Sequence, residues 1–382
     1  MPGVAEGRAG ERDAVGDPRA PPHALRRVPE VDRTSEPKPL AAHRESREIE
    51  SLAEAAERTD ERALRRTLFG WREAISIAIP VLLVIYVARN VDWVQTLATL
   101  ESIDLRFLLA ALAVYYASFP LRSWRWSLLL AQGSERRPGG ARLLVILMLG
   151  WFVNAIVPAK LGDLYRSYLV KRSFGVSLSR TVGVVVSERV LDLIVAFALM
   201  VVGGYIAFGR ELPVDSLFVF ISAGVLAVLM AAGFLVIYAL APRLERFFPT
   251  EMGRVVGLFR EGVLHSFRAL PLAGALTVLI WLAEAGHLFF VVHGLGLDLR
   301  ASGVIFIAVA ASILTAVPLT PAGFGFVEIA MVVLLTQVFG FAQHDAVAVA
   351  VVDRSVSVFS LLVVGGILYV REQRSLRHTS KR

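Results

Sequence analysis

The sequence predicts an all-α polytopic membrane protein with six full spans and two re-entrant broken-helix hairpins in an inverted repeat. Composition is the first observation: of 382 residues, 55% are hydrophobic and 19% are charged, and the mean hydropathy is +0.61. A soluble domain carries about 25% charged residues. The second observation is a close succession of apolar stretches after Trp71, and the third is an uneven distribution of basic residues between the connecting segments.

Composition also excludes several classes of protein. The chain has no cysteine, which excludes a disulfide-stapled secreted domain and a cysteine-ligated metal or redox site. In a membrane protein, a net charge of +7 indicates basic residues that orient the chain in the bilayer and attract anionic lipid headgroups, rather than residues that bind nucleic acid. We therefore expect no nucleic-acid partner.

The N-terminal region differs in composition from the rest of the chain. Residues 1–45 hold seven of the 17 prolines and show no apolar periodicity, which predicts a disordered cytoplasmic tail. No cleavable signal peptide is expected there. Residues 46–70 show a helical apolar pattern among Glu and Arg residues, which predicts an amphipathic helix at the membrane interface. A cytoplasmic partner for residues 1–70 is the alternative interpretation.

A transmembrane domain is predicted over residues 71–370, followed by a basic cytoplasmic tail at residues 371–382. A helix needs about 20 apolar residues to cross the hydrocarbon core of a bilayer. The stretches predicted to cross it are 73–92, 105–130, 181–208, 214–241, 271–294 and 346–370.

Two further apolar stretches, 142–157 and 303–327, are predicted to break. The first meets Pro158 directly, and the second contains Pro318 and Pro321. Proline removes a helix donor and clashes with the preceding turn, so neither stretch should continue as one helix.

The basic residues of the connecting segments predict the topology. Eighteen Lys and Arg lie in the segments on one side, whereas the segments on the other side hold four. By the positive-inside rule, both termini are cytoplasmic and the chain crosses the cell (plasma) membrane several times. The first broken segment then has two cytoplasmic flanks and the second has two external flanks. This arrangement predicts an inverted repeat around a site at mid-depth.

Ten ionisable residues lie inside the predicted bilayer. A charge at the centre of a membrane helix costs about 2.5–3.5 kcal/mol, so these side chains should pair with each other or face a wet cavity. Ion pairs that tether helices are one interpretation, and a transport pathway is the other. The residues are Arg122, Arg125, Glu188, Arg189, Asp192, Glu284, His287, Glu328, Asp353 and Arg354.

Spacing predicts a partner for two of the acids. Glu188 and Asp192 are four residues apart and therefore share one face of a helix. Two carboxylates on one face repel each other unless a cation lies between them. Arg122, Arg125 or Arg354 would supply that cation.

Two other patterns allow alternative interpretations. Arg125 lies between two tryptophans, a pattern typical of an aromatic belt with a snorkelling arginine. Glu284 and His287 have the Glu-x-x-His spacing. A carboxylate-bundle metal site would require that motif to be repeated with further glutamates, and it is not repeated. We therefore expect a protonatable pair along a pathway, and neither a metal nor a cofactor.

The second break predicts an anion site. Thr320 and Pro321 have the pattern of an N-cap followed by the first residue of a helix. A half-helix that begins at Pro321 would direct its free amides and positive dipole end into the membrane, which favours a lipid phosphate. Gly323 and Gly325 would let the ligand approach the backbone closely.

The first break predicts a second contact with a phosphate. Asp163 and Arg166 lie one turn apart just after this break, near the cytoplasmic entrance. The planar guanidinium of Arg166 suits a bidentate phosphate contact. A capped turn without a ligand is the alternative at both breaks.

Several motifs, taken in order, resemble a known family. They are Arg122-x-Trp124-Arg125-Trp126, Asn154-x-x-x-Pro158, Gly162-Asp163-x-x-Arg166, Glu188-Arg189-x-x-Asp192 and Pro321-x-Gly323-x-Gly325-x-x-Glu328. Over about 105–370 the chain resembles the membrane domain of lysylphosphatidylglycerol synthases, which also occurs alone in flippase-like membrane proteins. The family often has glutamate where this chain has Asp163, and glycine where it has Ala322.

The resemblance implies a bundle with re-entrant helices that moves a lipid headgroup between leaflets. The soluble aminoacyl-transfer domain of the full synthases is not expected after Val370, so lysyl transfer is not expected either. The motifs, breaks and intramembrane charges together predict these substrate-binding residues: Arg122, Arg125, Asn154, Asp163, Arg166, Glu188, Arg189, Asp192, Glu284, Pro321, Gly323, Gly325, Glu328, Asp353 and Arg354.

The leading functional hypothesis is a translocase for an anionic phospholipid or a polyprenyl-phosphate-linked lipid, with Glu188, Asp192 or Glu284 as a protonation gate. A membrane scaffold for a lipid- or envelope-modifying enzyme is one alternative. An intramembrane lipid-headgroup enzyme is another, but the chain has no cysteine, no His-Glu-x-x-His and no Gly-x-Ser-x-Gly. We therefore expect no enzymatic activity.

Overall fold

A computed structural model describes residues 91–132, 138–157, 160–209, 250–314 and 320–379, and isolated positions between 82 and 89 and between 217 and 247. The predicted tail 1–45 and interfacial helix 46–70 lie outside the described residues. The predicted spans 73–92 and 214–241 also lie outside them, apart from the isolated positions.

All regular structure in the described residues is helical, which agrees with the predicted class. The helices are α1 Trp93–Glu101, α2 Leu105–Ala131, α3 Gly140–Ile156, α4 Leu161–Phe174, α5 Leu178–Phe208, α6 Thr250–Ser266, α7 Leu270–Gly294, α8 Ala301–Leu314, α9 Phe326–Val333, α10 Gln343–Arg354 and α11 Ser360–Thr379. A π-helical turn, Leu334–Val338, extends α9, and another, Ser355–Phe359, joins α10 to α11.

Four helical segments of the described part of the chain are long and apolar enough to cross a membrane. They are Leu105–Ala131, Leu178–Phe208, Met252–Gly294 and Gln343–Arg374. Each contains one predicted span, so four of the six predicted spans have a helix of the expected length. The two remaining spans fall in the largely undescribed parts of the chain.

Two short helices follow each of two long helices. α3 and α4 pack against each other across the connection at residues 157–160, which we call the first break. α8 and α9 also pack against each other, and the connection at residues 315–325 is the second break. Residues 158–159 and 315–319 lie outside the described part. The order of one long helix, two short helices and one long helix therefore occurs twice in the described chain.

The start of α9 differs from the prediction. Pro321–Gly323 forms a 3₁₀ turn, and α9 begins at Phe326 rather than at Pro321. The physical reason is that Ala322, Gly323 and Gly325 all have positive φ values, which a right-handed helix does not tolerate. Thr320 donates its hydroxyl hydrogen bond to the carbonyl of Phe324 and does not cap a helix.

The most apolar helices lie inside the bundle rather than at its surface. In α3, Leu143, Ile146 and Leu147 are fully buried, and Phe306 in α8 is equally buried. Large apolar side chains of the long helices are instead exposed, and Ile206 of α5 has 64% of its surface accessible. A helix that is apolar all round is buried, whereas exposed apolar faces suit contact with lipid.

Candidate functional site

A cavity of about 350 Å³ lies between the helices where both breaks meet. The turn at Pro321–Gly323 packs against α3, so the two broken segments converge. Helices α2, α4, α5, α7 and α10 contribute charged groups to the cavity wall, whereas α8 and α9 contribute small or apolar ones. Of the predicted site residues, those that line the cavity are Arg122, Asn154, Asp163, Arg189, Asp192, Glu284, Gly323, Asp353 and Arg354.

Six charged side chains beside this cavity form a closed cycle of alternating sign, which we call the ion ring. Its members, in order around the cycle, are Arg125, Glu188, Arg166, Asp163, Arg189 and Asp192. Three arginines and three carboxylates leave the ring with no net charge. Buried charges persist only when they are paired and hydrogen-bonded, and each member of the ring forms at least one hydrogen bond to a member of opposite charge.

One half of the ion ring is sealed from the cavity. Arg125 donates to Glu188 at 2.7 Å, to Thr277 at 2.8 Å and to Asp192. Arg166 donates to the other carboxylate oxygen of Glu188 at 3.0 Å and lies over the ring of Trp126 at 4.7 Å.

The other half of the ion ring faces the cavity. Arg189 donates to both carboxylate oxygens of Asp163, at 3.0 and 3.1 Å. Its second contact, with Asp192, is 3.9 Å long and is the longest link of the ring. A ligand in the cavity therefore meets Asp163, Arg189 and Asp192, while the rest of the ring supports these three from behind.

Two sequence-based expectations are corrected by this geometry. Arg125 does not snorkel to the interface, because its side chain is fully buried between the carboxylates of α5. It is the cation that the spacing of Glu188 and Asp192 requires. Arg166 does not line the cavity, because its guanidinium is also fully buried and is held by Glu188 and Asp163.

Three further pairs of ionisable side chains link the helices around the cavity. Arg122 of α2 pairs with Glu284 of α7 at 2.7 Å and lies over the ring of Trp151 at 4.5 Å. His287 of α7 pairs with Asp353 of α10 at 2.9 Å. The Glu-x-x-His residues therefore both face the cavity but bind partners on two different helices.

The third pair links α10 to the helix that follows the second break. Arg354 of α10 lies 2.6 Å from Glu328 of α9. Glu328 also accepts a hydrogen bond of 2.6 Å from the backbone N–H of Gly325, the residue that precedes α9. The N-terminal end of α9 therefore carries its own carboxylate, and neither Gly325 nor Glu328 lines the cavity. The side chain of Pro321 lies outside the described part.

At the first break, an amide side chain connects α3 to α4 by hydrogen bonds. Asn154 of α3 accepts a hydrogen bond of 2.8 Å from the backbone N–H of Gly162 and donates one of 3.3 Å to Asp163. Gly162 lies so close to α3 that a Cβ atom there would be 2.0 Å from the carbonyl oxygen of Gly150. The contact requires glycine at this position, and it fixes α4 against α3.

Several cavity-lining residues were not among the predicted site residues, and four of them are aromatic or basic side chains of particular interest. Tyr115, Trp151 and Trp281 supply aromatic surface, and Lys160 supplies a cation at the first break. Lys160 was detectable in principle as a lysine placed between a proline break and a glycine. The aromatic residues gave no such signal, because apolar spacing in a buried helix does not reveal which face meets a cavity.

Comparison with known proteins assigns the chain to one family. The family described as the lysylphosphatidylglycerol synthase TM region matches residues 74–365. A UPF0104 membrane protein of Methanocaldococcus jannaschii is 32% identical over 230 residues, which cover 59% of this chain and 96% of the relative. A UPF0104 membrane protein of Pyrococcus horikoshii is 22% identical over 317 residues, covering 75% and 93%.

A longer relative shares the same region. The glycosyltransferase AglD of Haloferax volcanii is 25% identical over 337 residues, which cover 76% of this chain and 53% of the relative. The chain therefore spans about half the length of AglD. The match at residues 74–365 confirms the resemblance seen in the motifs and explains the apolar exterior of the long helices. The chain is a multi-pass membrane protein that belongs to the family of the lysylphosphatidylglycerol synthase TM region.

Proposed function

We propose that this protein is a translocase that moves an anionic phospholipid or a polyprenyl-phosphate-linked lipid between the two leaflets. The observation that carries the proposal is a cavity of about 350 Å³ with both charged and apolar lining, enclosed by helices whose outer faces are apolar. If the charged side chains only held the helices together, the helices could pack closely without a cavity between them. A cavity of this volume is in the range of ligand sites.

The charged lining suits the headgroup of a lipid. Arg122 and Arg189 face the cavity, and each is held by at least one carboxylate. Arginine held in this way forms directional hydrogen bonds with phosphate. Glu284 pairs with Arg122, so protonation of this carboxylate would release the arginine and gate the passage of a headgroup.

The apolar lining suits the hydrocarbon part of the same molecule. Ala308 and Ile313 of α8 and Val327 and Met331 of α9 line the cavity without any charge. A hydrocarbon chain gains about 25 cal/mol for each Å² of apolar surface removed from water. One cavity therefore offers suitable surfaces to both ends of an amphipathic ligand.

The proposed topology completes the mechanism. In this topology, six spans and two re-entrant hairpins bring the breaks to mid-depth. Both termini are cytoplasmic, and the membrane is the plasma membrane. The repeated order of long and short helices in the described chain supports an inverted repeat. Such repeats alternate the access of a central site between the two sides of a membrane.

Leaflet exchange in vesicles tests the proposal. The full chain is reconstituted into vesicles that contain fluorescent phosphatidylglycerol, and a membrane-impermeant reductant reports the lipid that reaches the outer leaflet. We expect exchange well above that of protein-free vesicles. Arg122→Ala and Glu284→Gln should each slow it at least tenfold, because each removes one partner of the cavity-facing pair, a loss of about 1.4 kcal/mol or more.

Matched controls separate the cavity from the surface. Arg106→Ala removes an exposed arginine from the first turn of α2, and Glu101→Gln removes an exposed carboxylate from α1. Both variants should exchange lipid at the wild-type rate. Equal rates in wild type, Arg122→Ala and Glu284→Gln would exclude the translocase.

An enzyme acting on lipid headgroups is the second candidate. The name glycosyltransferase, carried by the relative AglD, is the observation that favours it. Incubation of the purified chain with phosphatidylglycerol and lipid-linked sugars, followed by mass spectrometry, tests it. We expect no product of changed mass, and a product that depends on Glu284 would favour the enzyme instead.

A further inference from the structure

Lys160 differs from the other charged residues that line the cavity. Within the described residues, each arginine and each carboxylate of the lining has a partner of opposite charge or an imidazole partner. Lys160 lines the same cavity, and none of the described residues forms a hydrogen bond or ion pair with its ammonium group. An ionisable residue inside a membrane protein is by default a candidate functional residue.

The undescribed residues of the two breaks supply no acid. Residues 158–159 are Pro and Ala, and residues 315–319 are Thr, Ala, Val, Pro and Leu. Neither of these two undescribed connections therefore offers a carboxylate to Lys160. The described carboxylates of the cavity are already bound to other residues.

The backbone holds Lys160 at the break in an unusual conformation. Its φ of 54° lies in the left-handed region, which costs a residue with a Cβ atom about 1–2 kcal/mol. The next residues are fixed by the hydrogen bond from Gly162 to Asn154 and by the close approach of Gly162 to Gly150. Strain of this kind persists where the surrounding structure imposes it, and it is frequent at ligand sites.

The arginines of the site are less available to an incoming anion than Lys160 is. Arg125 and Arg166 are fully buried behind the lining. Arg122, Arg189 and Arg354 reach the cavity, but each would have to loosen an ion pair in order to bind an anion directly. Lys160 would loosen none.

We propose that Lys160 binds the phosphate group of the transported lipid, so that the ligand is a phosphodiester or phosphomonoester rather than a neutral lipid. This inference rests on the proposed function and names the residue that recognises the headgroup. Lysine binds phosphate as a compact point charge with three donors, and it needs no fixed planar geometry. The uncharged lining from α8 and α9 then receives the hydrocarbon chains of the same lipid.

Lipid binding to the purified full chain tests the inference. Native mass spectrometry measures the occupancy of the protein by dioleoylphosphatidylglycerol in detergent, for wild type and for Lys160→Gln. We expect about tenfold weaker binding in the variant, which corresponds to about 1.4 kcal/mol. Lys160→Arg should bind within about twofold of wild type, because it keeps the charge.

Two further variants control for misfolding and for the loss of a lysine elsewhere in the chain. Lys160→Gly removes the ammonium group but accepts the left-handed backbone without strain, so it should fold at least as well as wild type and bind as weakly as Lys160→Gln. Lys171→Gln removes an exposed lysine from the last turn of α4 and should leave binding unchanged. Equal affinity in wild type, Lys160→Gln and Lys160→Gly would overturn the inference, and so would an equal loss in Lys171→Gln.

The source of the phosphate is distinguished in the same experiment. Inorganic phosphate at millimolar concentration should displace little phosphatidylglycerol, because it gains nothing from the apolar lining. Full displacement in wild type but not in Lys160→Gln would assign the site to free phosphate and overturn the lipid assignment. Diacylglycerol, which has no phosphate, should bind wild type and Lys160→Gln equally.

Binding and exchange separate the two proposals. Lys160-dependent binding without leaflet exchange would support this site and contradict the translocase. Leaflet exchange at the same rate in wild type and Lys160→Gly, with unchanged binding, would support the translocase and contradict this site.

Discussion

The two breaks each contain one non-glycine residue in the left-handed conformation, and they differ in the side chains that they present. Among the described residues, Lys160 and Ala322 are the two that have positive φ without being glycine, at 54° and 50°. Each lies in one of the breaks, and each lines the cavity. The first break presents an ammonium group and the nearby carboxylate of Asp163, whereas the second presents a methyl group.

The helices that follow the breaks are also closed in different ways. At α4 the cap comes from the preceding helix, because Asn154 accepts the hydrogen bond from Gly162. At α9 the cap comes from the helix itself, because Glu328 accepts the hydrogen bond from Gly325. The comparison teaches that a left-handed residue, present in both breaks, can form a polar or an apolar part of the same cavity. The residue at the left-handed position decides which part is formed.

The largest expected difference between the breaks concerns their arginines. Arg166→Met removes a fully buried cation and leaves Glu188 and Asp163 short of one partner, which should cost about 3–5 kcal/mol of unfolding free energy. Arg354→Met removes a cation whose side chain is 10% exposed and whose partner Glu328 is 23% exposed, and it should cost about 1–3 kcal/mol. Equilibrium unfolding in mixed micelles measures both. A smaller loss for Arg166→Met than for Arg354→Met would contradict the sealed half of the ion ring.

The next effect concerns the backbone contact of the first break. Gly162→Ala places a Cβ atom where the carbonyl oxygen of Gly150 lies 2.0 Å away, so α3 and α4 must separate, at a cost of about 2–3 kcal/mol. Thermal unfolding of the detergent-solubilised protein measures it. Gly274→Ala in α7 is the control, because no atom lies within 4 Å of the added Cβ, and it should be neutral or slightly stabilising. Equal melting temperatures for the two variants would show that α3 and α4 are not in close contact.

A smaller effect distinguishes a helix cap at the cavity from one elsewhere. Asn154→Ala removes the cap of α4 and Asp92→Ala removes the cap of α1, where the Asp92 carboxylate accepts from Val94 and Gln95. Each should lower the unfolding free energy by about 1 kcal/mol. Only Asn154→Ala should also slow leaflet exchange, since it lets the first break move. Slower exchange in Asp92→Ala would instead indicate a general effect of stability.

Much of this arrangement could be predicted from the sequence, because it depends on local rules. The prolines at 158 and 321 predicted breaks where the structure ends α3 and forms the turn before α9. The four-residue spacing of Glu188 and Asp192 predicted a shared cation, and Arg125 occupies that position. Helix periodicity and proline geometry act within one or two turns, so one sequence is enough to apply them.

The rest depends on contacts between helices that one sequence does not contain. Arg166 has the features of a phosphate ligand, but α5 supplies Glu188 and α2 supplies Trp126, and together they bury it. The start of α9 was misplaced because Ala322 adopts a conformation that alanine rarely takes. Lys160 was missed because the absence of a hydrogen bond or ion pair to its ammonium group, among the described residues, is evident only when every described acid nearby has been assigned.

The smallest expected effect tests the strain shared by the two breaks. Ala322→Gly removes the steric strain of the left-handed conformation, which stabilises the folded state, but it also increases the conformational entropy of the unfolded chain. The first effect is the larger, so the unfolding free energy should rise by about 0.5 kcal/mol. Exchange should stay at the wild-type rate, since the methyl group contributes no charge. A melting temperature below that of wild type would show that Ala322 is unstrained. Comparison with Lys160→Gly, which we expect to lose lipid binding, completes the contrast between the breaks.

The neutrality of the ion ring has a consequence for the electrical behaviour of the protein. Moving one elementary charge through a full membrane potential of 100 mV involves about 2.3 kcal/mol of work. The three arginines and three carboxylates of the ring cancel, so a displacement of the ring as one body involves no net electrical work. Any voltage dependence of exchange therefore reports the charge of Lys160, the other cavity groups and the bound lipid.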